Sequence, residues 1–185
     1  MACNPFSIKR TSSNCTENFA GVGSRVLVAL VEDLESPAVW SDELVDGVPG
    51  FTADSFTFKE GKGFSELDIK KKSGKVTFES NGQNKGFSNV LTFVVDHNMD
   101  QMAYLARIVN NVDCIWMIAD GKGNWFVLYD PDFSTEISIT GDTGDTPDSD
   151  SGITVTVTGS PMKYGFAKWK GTPTIVDRTA DTTNS

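Results

Sequence analysis

Histidine occurs once in this chain, at His97, so any Ser/His/Asp or Cys/His machinery would have to pass through that residue. It stands just ahead of a helical pattern, where a polar surface or capping residue is ordinary, and no paired carboxylates or activated nucleophile can be named beside it. An enzyme is not expected. Cysteine is scarce too, and its count of three is odd. One histidine and scattered cysteines offer no zinc-ligand spacing, so no metal or cofactor site is expected. The opening MACNPFSIKR lacks the apolar stretch of a signal peptide, so Cys3 is not read as a processed lipoprotein cysteine. Cys3 and Cys15 are expected as free thiols, and Cys114, inside the apolar CIWMIA, as a buried one.

No run reaches the ~18 apolar residues of a membrane-spanning helix, so no membrane partner is expected. Positive charge is in deficit: 16 Lys and Arg stand against 25 Asp and Glu, for a net charge of −9. That balance excludes a general attraction of the whole molecule to nucleic acid or to an anionic membrane. The glycine clusters GKGF and GKGN lack the GxxxxGK[ST] spacing of a phosphate loop and read as hairpin turns.

What is present points to β structure. Twelve Phe and four Trp accompany a hydrophobic content of 38%. Residues 1–20 read as a polar N-terminal arm, 21–170 as one β-rich domain, and 171–185 as a C-terminal tail. SRVLVALVEDL (Ser24–Leu34) is the first strand, followed by the Pro/Gly-interrupted loop ESPAVWSDELVDGVPG. SFTFKEG and GFSELDIKKK read as strands around a glycine turn, and GKVTFES joins FSNVLTFVVD through NGQNKG. HNMDQMAYLARIVNN is the one helix (about 98–110), with Asn98 and Gln101 as a capping box and Met102, Leu105, Ala106 and Val109 facing the sheet. DCIWMIAD and WFVLYD form a second hairpin; TEISITG and GITVTVTG are the last long strands, with KYGFAKWKG as an extension. The expected core is Val26, Val28, Leu30, Val76, Phe78, Leu91, Phe93, Ile115, Met117, Phe126, Leu128, Ile153, Val155 and Val157. The expected fold is mainly β, a β-sandwich or small barrel with one flanking α-helix.

Two charged features stand out. Asp142, Asp145, Asp148 and Asp150 crowd the stretch before the last long strand. Counting from Asp148, the sixth residue is Ile153 and the twelfth Gly159; counting from Asp145, the third is Pro147 and the twelfth Thr156. The EF-hand requirements of Gly at the sixth and Glu at the twelfth position therefore fail. A long solvated loop is the reading, with a weaker non-EF cation site as the alternative. Second, the segment KEGKGFSELDIKKKSGK, read as a hairpin, carries Lys59, Lys62, Lys70, Lys71, Lys72 and Lys75 against Glu60, Glu66 and Asp68. A basic hairpin and an acidic loop polarise the subunit, which suits head-to-tail contacts between copies of itself. The alternative is that these lysines line an ordinary solvated strand face.

The order of elements resembles virion proteins of tailed phages of the gut-associated Bacteroides type, and more broadly is similar to the tail tube family and the tubes of contractile injection systems. The residues that carry the likeness are the Met1–Pro5 start, the Phe64–Ser80 meander, the Asp120–Asp130 hairpin and the Gly152–Gly159 strand; it spans most of residues 1–165. The resemblance implies a sandwich or barrel with one helix, six subunits per ring, and rings stacked into a conduit through which DNA passes without specific binding. It also implies a place in the virion tail after assembly in the host cytoplasm, with neighbouring virion proteins as partners. Contacts between rings would fall to the Lys59–Lys75 hairpin, the Asp33–Phe51 loop and the first 20 residues. The chain departs from the pattern in lacking a very long hairpin insertion, which keeps a neck or connector ring open as an alternative. A capsid decoration, fibre or head-completion protein is another. A conduit lined with negative charge would let DNA slide, and Asp142–Asp150 is placed either in that lumen or on the outer wall. A third reading is a calcium-dependent carbohydrate-binding β-sandwich that uses Trp40, Trp125 or Trp169 as stacking platforms.

Overall fold

Two strands of this chain carry unbroken apolar runs, VLVAL at 26–30 and CIWMIA at 114–119, and the reason lies in what covers them. The computed structural model describes residues 22–41, 44–45, 47–82, 86–95, 99–120, 124–142, 152–165 and 167–176. Ten strands and one α-helix run in the order β1 (Val22–Leu30), β2 (Gly50–Phe51), β3 (Ser65–Asp68), β4 (Lys75–Asn81), β5 (Gly86–Val95), α1 (Met99–Val109), β6 (Cys114–Asp120), β7 (Trp125–Leu128), β8 (Thr135–Asp142), β9 (Gly152–Met162) and β10 (Ala167–Trp169). They form a six-stranded sheet ordered β2-β10-β7-β6-β1-β3 and a four-stranded sheet ordered β4-β5-β9-β8. The fold is mainly β, a two-sheet sandwich with one helix.

The space between the sheets is filled from both sides and from the helix. Val26, Val28 and Leu30 of β1 and Cys114, Trp116 and Ile118 of β6 meet Leu91, Phe93 and Val95 of β5 and Ile153, Val155 and Val157 of β9. Leu105, Ile108 and Val109 of α1 join the same core, a spacing that puts them on one helical face. Alternate residues of β1 and β6, namely Leu27, Ala29, Ile115 and Met117, are equally buried but point the other way. There the chain from Leu34 to Phe64 and Ile175, together with Ala167 and Trp169 of the sheet's own β10, form a second core rich in aromatic rings. Trp40 stacks on Phe51 at 4.3 Å, Phe58 meets Phe64 at 4.9 Å, and the Trp169 Nε1–H donates to the Thr52 carbonyl at 2.7 Å. A sheet covered on both faces needs continuous apolar strands; the four-stranded sheet is covered on one face and alternates.

Several expectations change at this level. The stretch from Lys59 to Lys75 is not a hairpin. β3 pairs antiparallel with β1 in one sheet, and β4 pairs with β5 in the other. The residues around Phe58 pair with the chain at 33–35 instead, through the Leu34–Phe58 bridge and flanking backbone bonds. Between β3 and β4 the chain changes sheets in a turn. The Ser73 hydroxyl donates to the Lys70 carbonyl at 2.7 Å and accepts from the Val94 amide at 3.1 Å, and Lys72 takes φ 66°. KYGFAKWKG does not extend β9: β10 crosses to the six-stranded sheet, antiparallel to β7 and parallel to β2.

Part of the expected tail is docked. Ile175 bridges Phe64 in parallel, with Phe64 N–H donating to Thr174 O and Val176 N–H to Phe64 O, both at 2.9 Å. Gly63 permits this approach, since a Cβ there would lie 2.6 Å from the Thr174 carbonyl oxygen. Of the expected core, Phe78 is 50% exposed, while Val76 and Phe126 are partly buried. Ile108 is a core residue that the sequence reading omitted. The N-terminal arm, His97, Asn98 and residues 177–185 lie outside the described residues, as do the side chains of Gln101 and Met102.

Replacing fully buried Phe93 by Ala is expected to cost about 3–5 kcal/mol, through lost burial and the cavity left behind. Phe78→Ala, on a half-exposed edge, is expected to cost less than ~1 kcal/mol. Urea unfolding midpoints of the two variants check the contrast.

Candidate functional site

The four-stranded sheet turns one face away from the core, and nothing among the described residues covers it. Strand alternation sends Ile153, Val155 and Val157 inward and Thr154, Thr156 and Thr158 outward. Register then assembles rows of hydroxyls. Lys75, Thr92, Thr156 and Ser138 lie in one row, Thr77, Val90, Thr158 and Glu136 in the next, and Val94, Thr154 and Thr140 in a third. The two inner strands contribute no charge to this face. Lys75 and Glu79 on β4 and Glu136 on β8 are exposed charges at its margins.

Those margins differ from the edges of the other sheet. The six-stranded sheet ends in β2, of two residues, and β3, of four. The four-stranded sheet ends in β4, of seven residues, and β8, of eight, neither paired on its outer side among the described residues. A long open edge is a row of backbone donors and acceptors ready to pair with another chain. Large apolar side chains stand exposed nearby: Phe78 on β4, Phe133 just before β8, and Tyr104 on α1.

The expected charged poles are distributed as follows. Lys59 donates from Nζ to the Glu32 carbonyl at 2.7 Å, and Lys62 pairs with buried Asp33 at 2.9 Å, so both serve the fold at the first loop. Lys70, Lys71 and Lys72 lie in the sheet-changing turn, and Lys75 opens β4. Asp142 closes β8, its backbone opposite Gly152. Asp145, Asp148 and Asp150 lie outside the described residues. Sequence reasoning missed Glu136, Glu79 and Phe78 as margin residues. The signal was there in KVTFESN, whose mostly polar make-up marks an edge strand.

The stacking platforms of the carbohydrate reading are largely absent. Trp125 is 5% and Trp169 3% exposed, and Trp40 stacks its ring on Phe51. A hollow of about 110 Å³ at one end of the sandwich is lined by Asp113, Cys114, Tyr129, Asp130, Asp132 and Thr135 among others. Buried Asp130 accepts from the amides of Asp132 at 3.0 Å and Lys163 at 3.1 Å, so its carboxylate braces two loops. Burial, followed by the negative charges of Asp113 and Glu32, pushes the Cys114 thiol up to about 12. Burial and then Asp130, Asp113 and Asp132 raise Tyr129 as well. Both groups hold their protons, which is the reverse of an activated nucleophile. No group of three metal-ligating side chains converges among the described residues, and none of their helices is long and apolar enough to cross a membrane. Comparison with family models, curated proteins and solved structures finds no match to this chain.

The thiol carries a pH signature. From about pH 9 upward the unfolded chain loses the Cys114 proton first, so stability falls until the folded thiol ionises near 12. The slope is at most about 1.4 kcal/mol per pH unit, with no contribution below the unfolded value. Cys114→Ala is expected to flatten that alkaline slope in urea titrations at stepped pH.

Proposed function

We propose that the chain is a structural subunit of a tailed-phage virion that joins edge to edge into a ring, with rings stacked as a tail tube through which DNA is ejected. The observation that carries this is the pair of long open edges on one sheet, β4 and β8, running in opposite directions. A neighbour's β8 laid against β4 continues a strictly antiparallel sheet, and the same contact repeats at the next copy. Such a head-to-tail contact closes into a ring when its rotation allows.

The likeness to tail tube proteins supplies the number six. Six four-stranded sheets at about 4.8 Å per strand give a wall of roughly 115 Å circumference, about 37 Å across with untilted strands and more with tilt. That bore admits a nucleic-acid duplex. The covered outer face of the six-stranded sheet suits the outside of such a ring, and the hydroxyl face suits the channel. A lining without a cationic stripe does not gain affinity by counterion release, so DNA passes without being held. A neck or connector ring would use the same lateral contact without repeated stacking.

Purified protein is expected to form rings with a central hole, or tubes, in electron micrographs, and to grow in mass with concentration by light scattering. A folded monomer at every concentration tested would overturn the proposal.

A further inference from the structure

Resting on that edge-to-edge reading, we infer that the joint between copies has one register, in which Lys75–Asn81 of one copy lies against Glu136–Asp142 of the next, Lys75 facing Asp142. The partner is a second copy of this chain, and three independent features of the two edges select the alignment.

The first is overlap and face. A slip of one residue would send every outward side chain inward, so only even slips are open. The proposed register pairs all seven residues of β4. It places Phe78, half exposed in the subunit, opposite Ile139, and Ser80 opposite Ile137, on the side of β8 that packs against the inter-sheet core. An aromatic ring facing a β-branched residue is a favourable cross-strand pair.

The second is charge. Lysine and aspartate positions meet at one end of the joint, and Glu79 faces Ser138. Slipping two residues one way sets Glu79 against Glu136, a like-charge pair, and shortens the overlap. Slipping two the other way leaves Lys75 beyond the joint and Phe78 facing Gly141. Opposed like charges destabilise a strand pair, and unlike charges favour it.

The third is closure. The row that begins at Lys75 crosses Thr92 and Thr156 to Ser138, and in this register it meets Glu79 of the next copy. The stagger is four residues for every four strands. At about 3.4 Å per residue and about 4.8 Å per strand, that tilts the strands by roughly 35°, at the edge of the ~35–45° typical of closed barrels. The register in which Glu79 meets Glu136 gives about half that stagger, and a flush joint gives none.

Paired cysteines read the register. In a C3A/C15A background, T77C/T140C is expected to give a ladder of disulfide-linked oligomers on mild oxidation, since those positions face each other across the proposed joint. T77C/S138C, which would face each other after a two-residue slip, is expected to give little. A ladder from the second pair and not the first would overturn the register, as would no ladder from either while the background protein still forms rings. A background protein that stays a folded monomer overturns the edge-to-edge reading itself, and the register with it. Charge supplies a second check. K75D and D142K are each expected to raise the half-assembly concentration about tenfold or more, and an equimolar mixture of the two to restore it. Single variants that assemble like the unmodified protein, at unchanged melting temperature, would remove charge from the joint.

Discussion

The two-sided burial of β1 and β6 is the constraint on which the remaining architecture depends. These strands sit in the middle of the six-stranded sheet and bury Val26, Val28, Trp116 and Ile118 on one face and Leu27, Ala29, Ile115 and Met117 on the other. Burying each of the larger aliphatic side chains among them is worth roughly 1.5–3 kcal/mol relative to exposure. A sheet of this kind is stable only with cover on both sides. One cover is the second sheet with α1. The other comes largely from irregular chain, with a single short helical turn among the described residues, at Ala53–Ser55. The chain from Leu34 to Phe64 provides it, closing with Ile175 onto Trp169 of the sheet through aromatic rings, which bury large area per residue. Asp33 and Lys62 tie the start of that loop to its end.

The same constraint leaves the four-stranded sheet bare. With chain committed to the outer face of the larger sheet, nothing among the described residues is left to cover the hydroxyl face or the β4 and β8 edges. Polar side chains make the bare face tolerable to water: Thr154, Thr156 and Thr158 are β-branched, so they hold a strand while presenting hydroxyls. The edges are a different matter, since short outer strands protect the larger sheet and long ones leave the smaller sheet open to pairing.

Strand-scale structure was legible where a single face is buried. Ile153, Val155 and Val157 alternate with threonines in the sequence as they do in the sheet, and β4–β5 and β6–β7 pair strands that are neighbours in sequence. The failures share a cause, which is pairing between residues distant in sequence. β3 finds β1 41 residues upstream in the pair Arg25–Glu66, which the residues around β3 do not announce. Ser73 turns the chain into the other sheet by bonding Val94, so a lysine-rich stretch that reads as one hairpin is divided between two sheets. Ile175 is held by Phe64, so a mostly polar C-terminal stretch conceals a docked segment. Phe78 shows the converse: alternation places it inward, yet an edge strand has a neighbour on only one side, so its ring stays half in water. The open edges of the smaller sheet were hard to see for the same reason. Edges become apparent only when strand order is known, and order is set by long-range pairing.

On the proposed edge-to-edge reading, the charges at the margins reconcile two demands, solubility of the lone subunit and adhesion between copies. A lone subunit with apolar edges would pair with any exposed strand; Lys75, Glu79 and Glu136 make indiscriminate pairing costly, since most alignments oppose like charges or desolvate an unmatched one. An alignment that sets basic against acidic ends removes that cost for one partner only, another copy in the proper direction. Specificity of this sort needs little from each contact, because a closed ring makes every joint intramolecular with respect to the rest. On the same reading the inner strands β5 and β9 need no outward charge, since both neighbours of each lie in the same chain. On the hydroxyl face, charge is confined to the two edge strands, β4 and β8.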